Sequence, residues 1–162
     1  MIVRLHADPI ECTGCRLCEL SCSYFFYKSY NPKAARLQVV RYEAGVDLPI
    51  ACHHCHIARC QEVCPEDAIQ KNEKGLVFVV AKKCTGCGAC VEACPFGAMF
   101  MHPTLNIAVN CIVCGECAKV CPVQTIKYLT PDQIAQRKRK PYVDAIERSV
   151  INQLGVTPVH KL

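Results

Sequence analysis

The alternation of apolar and polar positions along this chain predicts many short strands and few long elements. Residues 2–5 (Ile-Val-Arg-Leu) and 37–42 (Leu-Gln-Val-Val-Arg-Tyr) carry the two-residue period of a strand. The apolar run 76–81 follows the turn Asn72-Glu73-Lys74-Gly75, which pairs it with 68–70 as a hairpin. Residues 98–101 and 106–109 repeat that arrangement across His102-Pro103-Thr104-Leu105. Short helices are predicted over 89–93 and 116–120. The 29 residues between Cys22 and Cys52 exceed an ordinary connection and read as a surface insertion. Helical signals lengthen only after residue 129. Thr130 is suited to cap a helix and Pro131 to its first turn, and the helix from Asp132 is expected to break before Pro141. A second helix, 142–154, would end at Gly155, with Val143, Ile146, Val150 and Leu154 as an apolar stripe packed on the core.

Cysteine changes this picture. All sixteen fall into four quartets: Cys12, Cys15, Cys18, Cys22; Cys52, Cys55, Cys60, Cys64; Cys84, Cys87, Cys90, Cys94; and Cys111, Cys114, Cys117, Cys121. Three quartets read C-x2-C-x2-C-x3-C, the second has an x4 gap, and proline follows the last three at Pro65, Pro95 and Pro122. This is the run in which three thiolates hold one [4Fe–4S] cluster and the fourth reaches a second cluster. The x2 gaps turn successive thiolates inward while the backbone N–H groups between them face the cluster sulfurs. The small residues Thr13-Gly14, Thr85-Gly86 and Gly88-Ala89 allow the close approach such a loop needs. A disulfide scaffold belongs to secreted chains. Structural zinc pairs two C-x2-C units across a longer gap. Four tight quartets fit neither, and sixteen ligands divided by four predict four cubanes.

The clusters alter the composition as well. Of the 51% hydrophobic residues, cysteine is a large share, and roughly 41% remains without it. The clusters must replace much of a conventional core, so the metal-free chain is expected to be largely unfolded. The formal charge of +5 treats cysteines as neutral; each cubane with four thiolates adds about −2, which moves the total to about −3. The basic balance therefore does not predict a nucleic-acid partner. The run Arg137-Lys138-Arg139-Lys140 reads as a solvated face or counter-charge, with docking of an acidic partner as the sharper alternative. The opening residues lack the layout of a signal peptide, and no apolar run reaches about 18 residues, so a cytoplasmic protein without a membrane span is expected.

The four runs, with the x4 gap in the second and Ser23 in place of proline after the first, resemble the four-cluster electron-transfer subunits of molybdenum and tungsten oxidoreductases. Relatives of that kind are the beta subunits of formate dehydrogenases, nitrate reductases and dimethyl sulfoxide reductases. The opening Asp8-Pro9-Ile10-Glu11-Cys12-Thr13-Gly14-Cys15-Arg16 is most similar in style to the polyferredoxin subunits of tungsten aldehyde oxidoreductases. The resemblance covers residues 1 to about 128. It implies an α+β fold of two bacterial-ferredoxin-like modules, one inserted in the other. The outer module would be 1–48 with 105–129, the inserted one 49–104, and 130–162 a helical C-terminal extension. It implies that Cys12, Cys15 and Cys18 share a cluster with Cys121; Cys111, Cys114 and Cys117 with Cys22; Cys84, Cys87 and Cys90 with Cys64; and Cys52, Cys55 and Cys60 with Cys94. It also implies that the wire runs in that order, with the Cys12 end nearest a catalytic subunit.

Function follows as an expectation: a non-catalytic iron–sulfur subunit wiring a tungsten or molybdenum catalytic subunit to a soluble ferredoxin or a flavin subunit, in an anaerobic setting. Alternatives are a mediator for carbon monoxide dehydrogenase or hydrogenase, or, from another class, an iron–sulfur redox sensor. The chain has no Gly-rich nucleotide loop, no nucleophile elbow and no open metal-ligand set outside the quartets. His53, His54 and His56 flank Cys55 and are read as neighbours of a cluster or surface residues rather than ligands, with His54 as a candidate hydrogen-bond donor to a sulfide.

Overall fold

The computed structural model describes residues 3–8, 10–42 and 45–154. Among them, eight strands of two to four residues pair antiparallel into four two-stranded sheets. The first sheet joins the two ends of the cysteine-bearing region: β1 (Arg4–His6) pairs with β8 (Lys127–Leu129), setting Leu5 opposite Tyr128. Beside it Thr125 and Asp8 exchange bonds. The Asp8 N–H donates to Thr125 Oγ1 at 2.9 Å, and that hydroxyl donates to the Asp8 carbonyl at 3.1 Å. Helix α1 (Leu17–Tyr27) packs on the short helix α4 (Glu116–Lys119).

The two hairpins expected in the middle of the chain are present. β4 (Ile69–Lys71) pairs with β5 (Val77–Val79), and β6 (Phe100–Met101) with β7 (Ala108–Val109). The short helices α2 (Arg59–Glu62) and α3 (Ala89–Glu92) pack on each other. The apolar residues divide into two cores. Leu5, Leu37, Val39 and Ile126 surround Cys18, Cys22, Cys111 and Cys117; Ile69, Val77, Met99 and Ala108 surround Cys90.

Three expectations change. The long segment after Cys22 is not a surface insertion. It forms a 3-10 turn (Pro32–Ala34) and a hairpin of β2 (Gln38–Arg41) with β3 (Asp47–Ile50), and it buries Ala35 and Leu37 at 0% and 1% exposure. Its apolar residues supply core that the small ferredoxin-like pieces lack, and β3 carries on across positions 48–49 to Ile50. The buried Glu19 ties this hairpin to α1, accepting the Val39 N–H at 2.6 Å. Second, α1 has eleven residues where the other quartet helices have four. The cause is Ser23: a proline after the fourth cysteine ends the later helices, whereas a buried serine lets α1 continue and donates its hydroxyl to the Ser29 carbonyl at 2.7 Å. Third, α5 (Pro131–Leu154) runs unbroken through Pro141. Proline removes a single backbone bond, and on an exposed helix the freed carbonyl is solvated. Its start is as expected: Thr130 and Gln133 form reciprocal capping bonds of 2.9 and 3.3 Å. Val143 is 46% exposed rather than packed in a core stripe; the side chains of Ile146, Val150 and Leu154, together with Ile2 and Gly155, lie outside the described residues.

Candidate metal centres

The four cysteine runs fold alike, and the backbone shows why. The second residue after each first cysteine has a positive φ: Gly14 at 65°, His54 at 47°, Gly86 at 74° and Val113 at 60°. A left-handed residue there curls the loop so that the first three thiols of the run face one point. Glycine is obligatory at Gly86, where a Cβ would collide with the Asn106 carbonyl oxygen. At Val113 the same turn is imposed on a β-branched residue, a strained conformation that sequence reading missed because valine ordinarily marks a strand.

The inner cysteines line two cavities. Cys64, Cys84, Cys87 and Cys90 meet around one. Cys52, Cys55, Cys60 and Cys94 meet around the other. In the outer core, Cys22 lies in the electrostatic reach of Cys114 and Cys117, and Cys111 in that of Cys117, Cys22 and Cys114. Cys18 neighbours Cys15 and Cys117, and Cys121 packs on the same core.

The donors fit a [4Fe–4S] cluster. All sixteen cysteines are free thiols. Backbone N–H groups aim at their sulfurs in a repeated pattern. The residue four after the last cysteine donates in two runs (Ala68 to Cys64 and Ala98 to Cys94, both 3.3 Å), and the residue two after the first cysteine donates in two (His54 to Cys52 and Val113 to Cys111, both 3.4 Å). Arg36 N–H reaches Cys22 at 3.3 Å and Ala108 N–H reaches Cys84 at 3.4 Å. Burial pushes Cys18 and Cys111 up to about 12, and Cys22, Cys60 and Cys90 up to about 11. Thiols so buried become thiolates only against a strong positive centre, which a metal supplies. Among the described residues, no three His, Cys, Asp or Glu side chains converge tightly enough for a single ion. The inner donors surround two cavities, the arrangement a multi-atom cluster needs.

One polar neighbour was not legible from spacing. Tyr128 Oη lies 3.2 Å from Cys117 Sγ; burial and the adjacent thiol hold the phenol protonated, so it is the donor once Cys117 is a thiolate. Tyr128→Phe is expected to lower the potential of that cluster by on the order of 60 mV, the equivalent of one lost hydrogen bond to a charged group, measured by potentiometric titration. His54 is 2% exposed. Burial and the Arg4 charge lower it to about 4, so its ring is neutral. Nδ1 accepts the Val77 N–H at 3.1 Å, which leaves Nε2 as its donor, buried and without a protein partner. His53 stacks on Phe96, at 4.3 Å between ring centroids, and the His56 carbonyl accepts from Lys71 at 2.6 Å.

Of the inner cysteines, Cys52 packs against the outer core, while Cys60, Cys64, Cys84, Cys90 and Cys94 belong to the inner one. The basic run of α5 is exposed and borders His6, Asp8 and Glu11 beside the first quartet.

Comparison with known proteins agrees with the chemistry. The family described as 4Fe-4S dicluster domain matches residues 46–130, and that described as 4Fe-4S binding domain matches 11–25. The sequence is 42% identical to the polyferredoxin-like subunit of aliphatic sulfonate oxidoreductase from Pyrococcus furiosus, over 54% of its own length and 51% of that protein. It is 36% identical to the B subunit of anaerobic dimethyl sulfoxide reductase from Escherichia coli, over 56% and 51%. It is 39% identical to the electron transport protein HydN of that organism, over 57% and 56%. The chain thus spans about half the length of the curated relatives it matches. A solved structure, the active-site complex BamBC of benzoyl coenzyme A reductase as isolated, aligns over 94% of this chain and 91% of its own at 24% identity, with a TM-score of 0.46. No helix among the described residues is long and apolar enough to cross a membrane. The dicluster match takes in more than half of the sequence and both inner cysteine runs, and the chain belongs to the 4Fe-4S dicluster domain family.

Proposed function

We propose that this chain is the electron-transfer subunit of an oxidoreductase complex and holds four [4Fe–4S] clusters, on the ligand sets Cys12/Cys15/Cys18/Cys121, Cys111/Cys114/Cys117/Cys22, Cys52/Cys55/Cys60/Cys94 and Cys84/Cys87/Cys90/Cys64. The observation that carries it is the gathering of cysteines from two runs around each inner cavity, with the fourth ligand supplied by the other run. When bound, the clusters supply one-electron redox chemistry. The protein supplies thiolates, N–H donors to them, and exclusion of water.

The wire order favoured by the packing of Cys52 on the outer core is Cys12 set, Cys111 set, Cys52 set, Cys84 set. Two modules support the layout. An outer one is joined by β1–β8 and α1–α4, and an inner one by β4–β5, β6–β7 and α2–α3. A tungsten or molybdenum catalytic subunit is the partner we favour, on the strength of the dimethyl sulfoxide reductase and sulfonate oxidoreductase relatives. A soluble ferredoxin or flavin subunit would sit at the other end, in the cytoplasm. Catalysis by this chain is not part of the reading, because each cysteine is committed to a cluster.

Anaerobic native purification through a tag, with metal analysis of what co-elutes, tests this. Tungsten or molybdenum beside about sixteen irons per chain, after subtraction of the partner's own, is the expected result. Nickel would redirect the reading to a carbon monoxide dehydrogenase or hydrogenase mediator. Zinc without iron or sulfide, from a host able to build clusters, would overturn it.

A further inference from the structure

The second cysteine run differs from the other three in how it crosses from its second cysteine to its third. In the first, third and fourth runs a left-handed residue starts the helix directly after the second cysteine: Arg16 at φ 59°, Gly88 at 82° and Gly115 at 95°. The x4 gap of the second run inserts two more residues, and its helix starts instead from the extended Ala58. The carbonyls of Cys55 and His56 therefore lie outside any helix or strand, and among the described residues no backbone N–H reaches them. Lys71 takes both. Its Nζ donates to the Cys55 carbonyl at 2.8 Å and to the His56 carbonyl at 2.6 Å. Lys71 ends β4 and stands opposite Val77, whose N–H donates to His54 Nδ1 at 3.1 Å. One register pair of the β4–β5 hairpin thus grips residues 54 to 56, with Cys55 in the middle.

Lys71 stands seven residues after Cys64, the last cysteine of its run; Met101 stands seven after Cys94, and Tyr128 seven after Cys121. All three lie on the strand that leaves the run. Tyr128 turns back to the Cys117 sulfur of its own run, and Met101 packs on the inner core. Of the three, only the second run places a charge there. Among the described residues no carboxylate lies within ion-pair distance of the Lys71 ammonium. A neutral donor would satisfy the carbonyls, so the charge itself calls for a role. A cubane with four thiolates carries about −2 and becomes more negative on reduction. A fixed positive charge on a half-buried side chain beside it favours the reduced form.

We propose that Lys71 is a positioning residue for the cluster of Cys52, Cys55, Cys60 and Cys94: its ammonium clasps the Cys55 and His56 carbonyls, fixes the x4 gap around that cluster, and sets a positive charge beside it that raises its reduction potential. The proposal rests on the four-cluster reading above. The ammonium keeps its protons throughout. One electron passes from a neighbouring cluster, which is oxidised, to this one, which is reduced, and no bond is made or broken.

EPR-monitored redox titration of the anaerobic holoprotein tests it, with the signal of this cluster identified as the one lost in Cys55→Ser. In Lys71→Gln, which keeps a neutral donor, and in Lys71→Met, the reduction equilibrium of that cluster should move about tenfold toward the oxidised form, about 59 mV for one electron, with the other midpoints held. Lys71→Arg, which keeps the charge, should hold every midpoint. Where a neutral variant fails to keep its clusters, iron analysis is the readout. Loss of about four irons with only the Cys55 signal missing, restored in Lys71→Arg, supports the clasp. Full iron with unmoved midpoints in the neutral variants, the same changes in Lys71→Arg, or loss of another cluster's signal overturns the role of Lys71 and leaves the wire intact. A wild type without [4Fe–4S] clusters overturns both.

Discussion

Chelation of iron from the anaerobic holoprotein is expected to unfold it in a single cooperative step, with loss of most far-UV circular dichroism and of any thermal transition. Recovery should require ferrous iron, sulfide and reductant together. The reason is the architecture. Strands of two to four residues form separate two-stranded sheets, and an isolated hairpin of that kind is marginal in water. Three of the five helices have four residues, well below the length at which a helix sustains itself. What joins these pieces is the cysteines. Cys18, Cys22, Cys111 and Cys117 sit within the outer apolar core and Cys90 within the inner one. Removing the clusters leaves voids at the centre of both cores and returns the thiolates to protonated thiols, so metal uptake must release protons. A metal-free chain that kept its dichroism and a sharp melting transition would show instead that the apolar residues suffice.

Cys94→Ser should remove the cluster held by Cys52, Cys55 and Cys60, although Cys94 is more than thirty residues away in sequence and belongs to the run of Cys84. The loss expected is about four irons per chain, or about one if a three-iron cluster survives. The decisive comparison uses EPR. The signal lost in Cys94→Ser should be the one lost in Cys55→Ser, and the signal lost in Cys64→Ser the one lost in Cys87→Ser. The geometry behind this is direct, since Cys94 lies on the wall of the cavity of Cys52, and Cys64 on that of Cys84. If Cys94→Ser and Cys87→Ser removed the same signal, each run would hold its own cluster and the interlocked arrangement would fall.

The parts legible in the sequence are those set by local chemistry. Cysteine spacing marks the ligands because three thiolates on one loop must curl around a common centre. Asn72 to Gly75 marks a hairpin because its turn is local, and Thr130 with Gln133 marks a helix start for the same reason. Strand β3 was hidden by Pro49, which cannot donate to a ladder. It is tolerated opposite Val39 because a two-stranded sheet has only edges. Pro141 misled in the other direction, as a helix breaker on a helix free to solvate its own defect. Tyr128 carries no signal at all in one dimension, since it matters only through the sulfur it meets after folding.

The pairing of β1 with β8 has a consequence for biosynthesis. Residues 4–6 find their partners only at 127–129, and Asp8 reaches across 117 positions to Thr125. On the ribosome the first quartet therefore emerges long before the residues that complete its module. The inner hairpins close within a dozen residues of their own turns, and local contacts form early during synthesis. Cys12 to Cys22 must spend most of translation as an unfinished, solvent-reached set of thiols. Maturation is thus ordered from the middle of the chain outward. The inner pair of clusters is the first that the assembly machinery can finish, and the outer pair must be guarded from oxygen and stray metal until the last cysteine run has left the exit tunnel.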